Sequence, residues 1–137
     1  MADAVGGCLC GAVRYVCSGA PAMTGACHCR DCQRASGSAF ATLMIFPRDA
    51  VRVSGEVATY EHKGDSGGMV HRRFCPKCGV HVVVEYDVTP QFVVVMAGTL
   101  DDPSPIRPQW NIYTASKQPW VELPPAMKIF DRGFKRD

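Results

Sequence analysis

Apolar and polar positions along this chain alternate in short runs, and the period is two more often than 3.6. Val13, Tyr15 and Cys17 fall on one side of a run whose other side carries Arg14 and Val16, the pattern of a half-buried strand. Residues 39–46 are apolar around Thr42 and end at Pro47. Residues 51–54 and 57–61 are split by Gly55-Glu56, which predicts a tight hairpin. Residues 70–74, 80–86 and 92–97 are rich in β-branched side chains, with Thr89-Pro90 as a breaker between the last two. Only residues 30–36 predict a helix, and a brief one. Beyond Leu100 the prolines at 103, 105, 108, 119, 124 and 125 preclude a long helix. The expectation is a mainly β fold of short antiparallel strands, one domain over residues 1–137, with a Pro-rich extension after about residue 100.

Composition narrows the picture only where it bears on partners and compartment. With 137 residues, 47% apolar and 20% charged, the chain is large enough for a core yet small enough to gain from a metal staple. A formal charge of +2 argues against a nucleic-acid partner. The longest apolar run, residues 92–97, falls far short of the ~20 residues that span a bilayer, so no membrane partner is expected. The opening Met-Ala-Asp-Ala-Val-Gly-Gly-Cys lacks the basic and apolar regions of a secretory leader. The predicted compartment is the cytoplasm, which disfavours structural disulfides.

The cysteines carry the chemistry. Seven of the eight fall in three clusters, Cys8-x-Cys10, Cys27-His-Cys29-x-x-Cys32 and Cys75-Pro-Lys-Cys78. A closed tetrahedral zinc site takes four protein ligands, and a reactive one typically takes three and keeps a corner free. Two pairs and a triplet fit one site of each kind. Cys75-Pro76-Lys77-Cys78-Gly79 has the composition of a metal knuckle, in which Pro76 fixes one backbone angle and Gly79 permits positive φ. Glycines around Cys8 and Cys10 allow the bend that brings a C-x-C pair onto one ion. The closed site is therefore assigned to Cys8, Cys10, Cys75 and Cys78, with zinc or four-thiolate iron as its ion. Cys27, Cys29 and Cys32 are assigned to an open second zinc, more exchangeable than the first. Seven thiolates and two zinc ions would move the formal charge to about −1. Cys17, in register with Val13 and Tyr15, reads as a core thiol. His28, His71 and His81 are lesser ligand candidates, and Asp31 and His28 are candidate bases. Arg30, Arg34, Arg72 and Arg73 could receive carboxylates of an anionic substrate. Trp110 and Trp120 read as packing residues.

Three stretches carry a family likeness: Gly6-Gly7-Cys8-x-Cys10-Gly11-x-Val13, Cys27-His-Cys-x-x-Cys32 with Ser36-Gly37, and Arg73-Phe74-Cys75-x-x-Cys78-Gly79. Together they resemble the glutathione-dependent formaldehyde-activating enzyme family, also called the centromere-protein-V-like domain. The Trp110 to Trp120 segment is similar to that family's aromatic ending, so the likeness runs from Gly6 to about Trp120. It implies a β-tent fold and two zinc sites divided as above. It also implies a carbon–sulfur lyase of the S-(hydroxymethyl)glutathione synthase kind, joining glutathione, or another small thiol, to an aldehyde such as formaldehyde. The alternative is a non-catalytic zinc module for protein interaction.

Overall fold

The computed structural model describes residues 3–134. Its eleven strands form two sheets. The small sheet has the order β1–β2–β5, from Ala4–Gly7, Arg14–Cys17 and Val51–Ser54. The large sheet runs β11–β10–β3–β4–β9–β8–β7–β6. Its members are β3 (Met23–Cys27), β4 (Ala41–Pro47), β6 (Ala58–Lys63), β7 (Met69–Phe74), β8 (His81–Tyr86), β9 (Phe92–Met96), β10 (Trp110–Ile112) and β11 (Lys128–Ile129). Among the described residues the single α-helix, α1, is Arg30–Ser36, as the local pattern predicts. Gly37 closes it in the left-handed region at φ 66°. The fold is mainly β as expected. Pairing is antiparallel except at β10, which lies parallel to both β3 and β11.

The hairpin expected across Gly55-Glu56 does not form. β5 pairs with β2 in the small sheet, and β6 pairs with β7 in the large one. Gly55 does take a positive φ, 92°, so the residue marks a bend, but the chain uses it to leave one sheet for the other. A Cβ there would strike the Ala12 carbonyl. The glycine serves close passage over the loop that carries Cys10.

Period-two alternation divides the core between the two faces of the large sheet. Met44 and Phe46 of β4, with Val93 and Val95 of β9, pack in one cluster with Tyr15, Cys17, Cys8 and Cys75. Ala41 and Leu43, with Val84 and Val94, pack in the other cluster with Cys27, Cys32 and Trp110. Cys17 is wholly buried in the first cluster, as its register predicts. On the second face the Trp110 indole lies directly over Gly25, the residue it faces across the parallel β10–β3 ladder. Phe134 meets the same indole edge-on, with ring centroids 4.8 Å apart. Near the other end of the sheet Glu85 of β8 takes Arg73 and Arg48 at 2.6 and 2.8 Å. Burial opposes ionisation of Glu85, but the two guanidinium groups outweigh it and hold the carboxyl below its ordinary range.

Two variants test this account. Gly25→Ala must displace the indole and is expected to cost about 1–3 kcal/mol in urea unfolding. Gly98→Ala, at a glycine with open space around it, should stay within about 0.5 kcal/mol. The second test uses pH. A lowered folded-state pKa stabilises above the unfolded value and loses that effect as pH falls through the folded one. Glu85→Gln should therefore cost about 1 kcal/mol at neutral pH, given partly solvated partners. Its difference from wild type should vanish in unfolding curves taken as pH drops below the ordinary Glu range.

Candidate metal centres

The structure gathers both predicted cysteine groups. The ligand atoms of Cys8, Cys10, Cys75 and Cys78 all lie within 4.8 Å of one another, and so do those of Cys27, Cys29 and Cys32. Among the described residues no histidine, aspartate or glutamate joins either group. A tetrahedral ion with bonds of about 2.3 Å needs sulfurs about 3.8 Å apart. The Cys8–Cys10 and Cys10–Cys75 sulfurs stand 3.7 Å apart. Residues 65 positions apart in sequence thus sit at the separation a zinc or iron tetrathiolate demands.

Backbone amides surround these sulfurs. Val13 N–H donates to Cys8 Sγ at 3.2 Å, and Lys77 and Cys78 N–H to Cys75 Sγ at 3.4 and 3.5 Å. In the knuckle Gly79 adopts φ 79° and returns its N–H to the Cys75 carbonyl at 2.8 Å, the turn its composition predicts. Loss of hydration works to raise the Cys8 thiol, yet the Val13 amide and the neighbouring thiols bring it down to about 6. Cys78 is lowered too, first by the Val80 and Cys10 amides. These donors favour thiolates, and thiolates are what a soft cation binds.

The triplet is built differently. Cys27 ends β3, Cys29 is the N-cap of α1 and accepts the Cys32 N–H at 3.2 Å, and Cys32 lies in the first turn. Hydrogen bonds from Cys27 and Cys32 lower the Cys29 thiol to about 2. Cys27 is raised, chiefly by donating to its two neighbours. Cys32 accepts from Cys27 but donates to Cys29, and burial helps carry it up to about 12. Negative charge is thus favoured at Cys29 and opposed at Cys27 and Cys32. A cation is needed for all three to ionise, so this donor set also fits zinc.

The C-terminal third holds the triplet loop in place, which sequence reasoning missed. His28 is fully buried and pairs through Nε2 with Asn111 Oδ1 at 2.9 Å. Its backbone N–H donates to the Ile112 carbonyl at 3.0 Å, and Gln33 Nε2 donates to the His28 and Ser116 carbonyls at 2.6 and 3.0 Å. Gln118 in turn donates to Gln33 at 2.9 Å. The signal was present as polar residues set between the two tryptophans, Asn111, Ser116 and Gln118. His28 is thereby a structural residue, outside the triplet's ligand atoms. His71 instead meets Asp87 at 2.8 Å and Glu61 at 3.6 Å, and His81 stacks on Phe74. Of the four arginines offered as anion receptors, Arg30 contacts Gln33, Arg73 is paired with Glu85, Arg34 is exposed, and Arg72 is buried.

Beside the triplet lies a cavity of about 460 Å³, bounded by Cys27 and Cys29 at one place and by Asp31, Leu43, Trp110 and Tyr113 elsewhere. A larger cavity of about 670 Å³, between Asp3, Leu100 and Ile106, touches neither cysteine group. Among the described residues no helix is long and apolar enough to cross a membrane.

Residues 3–116 match the family model described as glutathione-dependent formaldehyde-activating enzyme. A Colletotrichum graminicola protein whose name gives it that activity provisionally is 31% identical over 70 residues, 51% of this chain and 36% of its own length. The chain thus spans about a third of that relative. A crystal structure of a Rhodobacter sphaeroides protein superposes with a TM-score of 0.57 at 22% identity, covering 76% of this chain and 91% of that one. It supports the fold alone.

The two cysteine groups differ in what their loss should do. Cys75→Ser is expected to lose its ion and most of the folded circular-dichroism signal. Cys29→Ser should keep the fold, because serine is a good N-cap, and should lose one equivalent of zinc by elemental analysis.

Proposed function

The chain belongs to the glutathione-dependent formaldehyde-activating enzyme family, and from that premise we propose that it is a zinc-dependent carbon–sulfur lyase. Its substrates are glutathione or another small thiol and an aldehyde such as formaldehyde. The observation that carries this reading is the triplet: three cysteines whose ligand atoms converge without a fourth protein donor among the described residues, next to a cavity.

Cys8, Cys10, Cys75 and Cys78 would hold one zinc ion for structure, and Cys27, Cys29 and Cys32 a second for reaction. When bound there, zinc supplies Lewis acidity that favours the thiolate of a sulfur brought close to it. The protein's own part is to orient and to dry. Cys27 is fixed by the β3 ladder and Cys29 by the helix cap, so the triplet has no freedom to swing away. Leu43 and Trp110 limit water beside it. In the forward direction the thiol sulfur adds to the aldehyde carbon. One C–S bond forms, the C=O π bond opens, and the proton lost by the thiol ends on the new hydroxyl oxygen. Of the side-chain bases Asp31 and His28, Asp31 lines the cavity and His28 is sealed against Asn111. Asp31 is therefore the better placed to carry that proton.

The competing reading, a zinc module without catalysis, predicts an inert second ion. Zinc-loaded protein should speed exchange between ¹³C-formaldehyde and its glutathione adduct, seen by exchange NMR. Cys29→Ser should reduce that acceleration at least tenfold while keeping the structural ion. An unchanged exchange rate with full metal occupancy would sink the lyase reading.

A further inference from the structure

Much of the wall beside the triplet is apolar, and Arg72 is the one buried charged residue among its lining. Strand register places Met23, Ile45, Val94, Val84 and Arg72 in a single row across β3, β4, β9, β8 and β7. Facing residues in a ladder share a side of the sheet, and all of these except Val84 border the cavity. Arg72 is only 6% exposed. Its Nε donates to His62 Nε2 at 2.9 Å, and among the described residues its two terminal nitrogens meet no acceptor. A largely buried guanidinium with four of its five N–H donors lacking a protein acceptor is disposed to take an anion. Asp31 and Asp65, the acidic residues of the lining, are both exposed, and Asp65 accepts from Tyr113 at 3.2 Å.

Size and charge narrow what fits. At about 30 Å³ per water, 460 Å³ has room for about fifteen waters, and formaldehyde is scarcely larger than one. Glutathione brings two carboxylates and an ammonium, against one buried arginine and walls of Leu43, Ile45, Val94 and Trp110. We propose that the cavity selects a substrate with an apolar body and a single carboxylate. The carboxylate pairs side by side with the terminal nitrogens of Arg72, and the reacting end, a thiol or an aldehyde, reaches Cys27 and Cys29. Arginine suits this task because its planar fork matches a carboxylate's two oxygens. The assignment rests on the carbon–sulfur reading of the triplet.

Unreactive probes test it on zinc-loaded protein. Octanoate should bind at least tenfold tighter than 1-octanol by calorimetry, and it should inhibit formaldehyde–glutathione exchange in the same sample. Arg72→Met should abolish the tenfold preference and leave octanol binding in place. Arg72→Lys, which keeps charge and loses the fork, should fall between. If Arg72→Met does not fold, the octanoate-to-octanol ratio of the wild type alone decides. Equal binding of the two probes, or binding of neither, overturns the selectivity, whatever the exchange assay gives. Selective octanoate binding with no carbon–sulfur exchange for any thiol–aldehyde pair overturns the reaction reading instead. Comparing 8-mercaptooctanoate with 8-oxooctanoate then identifies the reacting end, because only the matching compound should turn over with formaldehyde or with glutathione respectively. Turnover of neither, with glutathione and formaldehyde still exchanging, overturns the proposal.

Discussion

Sulfur crowding is the constraint from which the rest follows. Thiol groups 3.7 Å apart, drawn from residues 10 and 75, cannot all ionise unless positive charge lies between them. The amides aimed at Cys8 and Cys75 stabilise negative sulfur. Geometry and electrostatics thus both suit an ion, and such an ion would tie the amino-terminal loop to the β7–β8 turn. Bound metal of this kind contributes directly to folding free energy. In a chain of this size that is a large share of the few kcal/mol by which a domain is stable.

The large sheet keeps the two cysteine groups apart while giving each its own surroundings. Alternation along β4 sends Met44 and Phe46 toward the four-cysteine group and Leu43 toward the triplet. A one-residue slip in that strand would exchange the two environments. Cys8 and Cys75 of the four-cysteine group sit in a packed cluster, whereas Cys10 is exposed. The triplet sits at the wall of a cavity, where a fourth ligand could arrive from outside. One strand's pleat therefore gives the two cysteine groups unlike surroundings.

Much of this was legible in the sequence, and the limits were physical. Metal ligation imposes short, fixed spacings, so Cys8-x-Cys10, Cys27-x-Cys29 and Cys75-x-x-Cys78 announced themselves, and Gly79 confirmed the knuckle by the backbone angle it takes. The α1 boundaries were also visible, because Ser36-Gly37 is a local stop. Pairing across sheets was not. Gly55 signals a bend equally well whether the chain folds back on itself or crosses to another sheet, and only long-range contact with the Ala12 carbonyl decides. Gly25 was equally silent: its reason for being glycine is Trp110, 85 residues later and seen only once β10 is laid beside β3. The docking of Asn111 and Gln118 on the triplet loop escaped for the same cause, since nothing local marks a polar side chain as the support for a distant turn.

The lateness of that support has a kinetic side. Every residue of the four-cysteine group has left the ribosome once position 78 emerges, whereas the loop around His28 gains Asn111, Ser116 and Gln118 only near the end of synthesis. Contacts of such long sequence separation close slowly. The four-cysteine group can therefore assemble first, and the triplet loop gains its support only when the final third of the chain has docked.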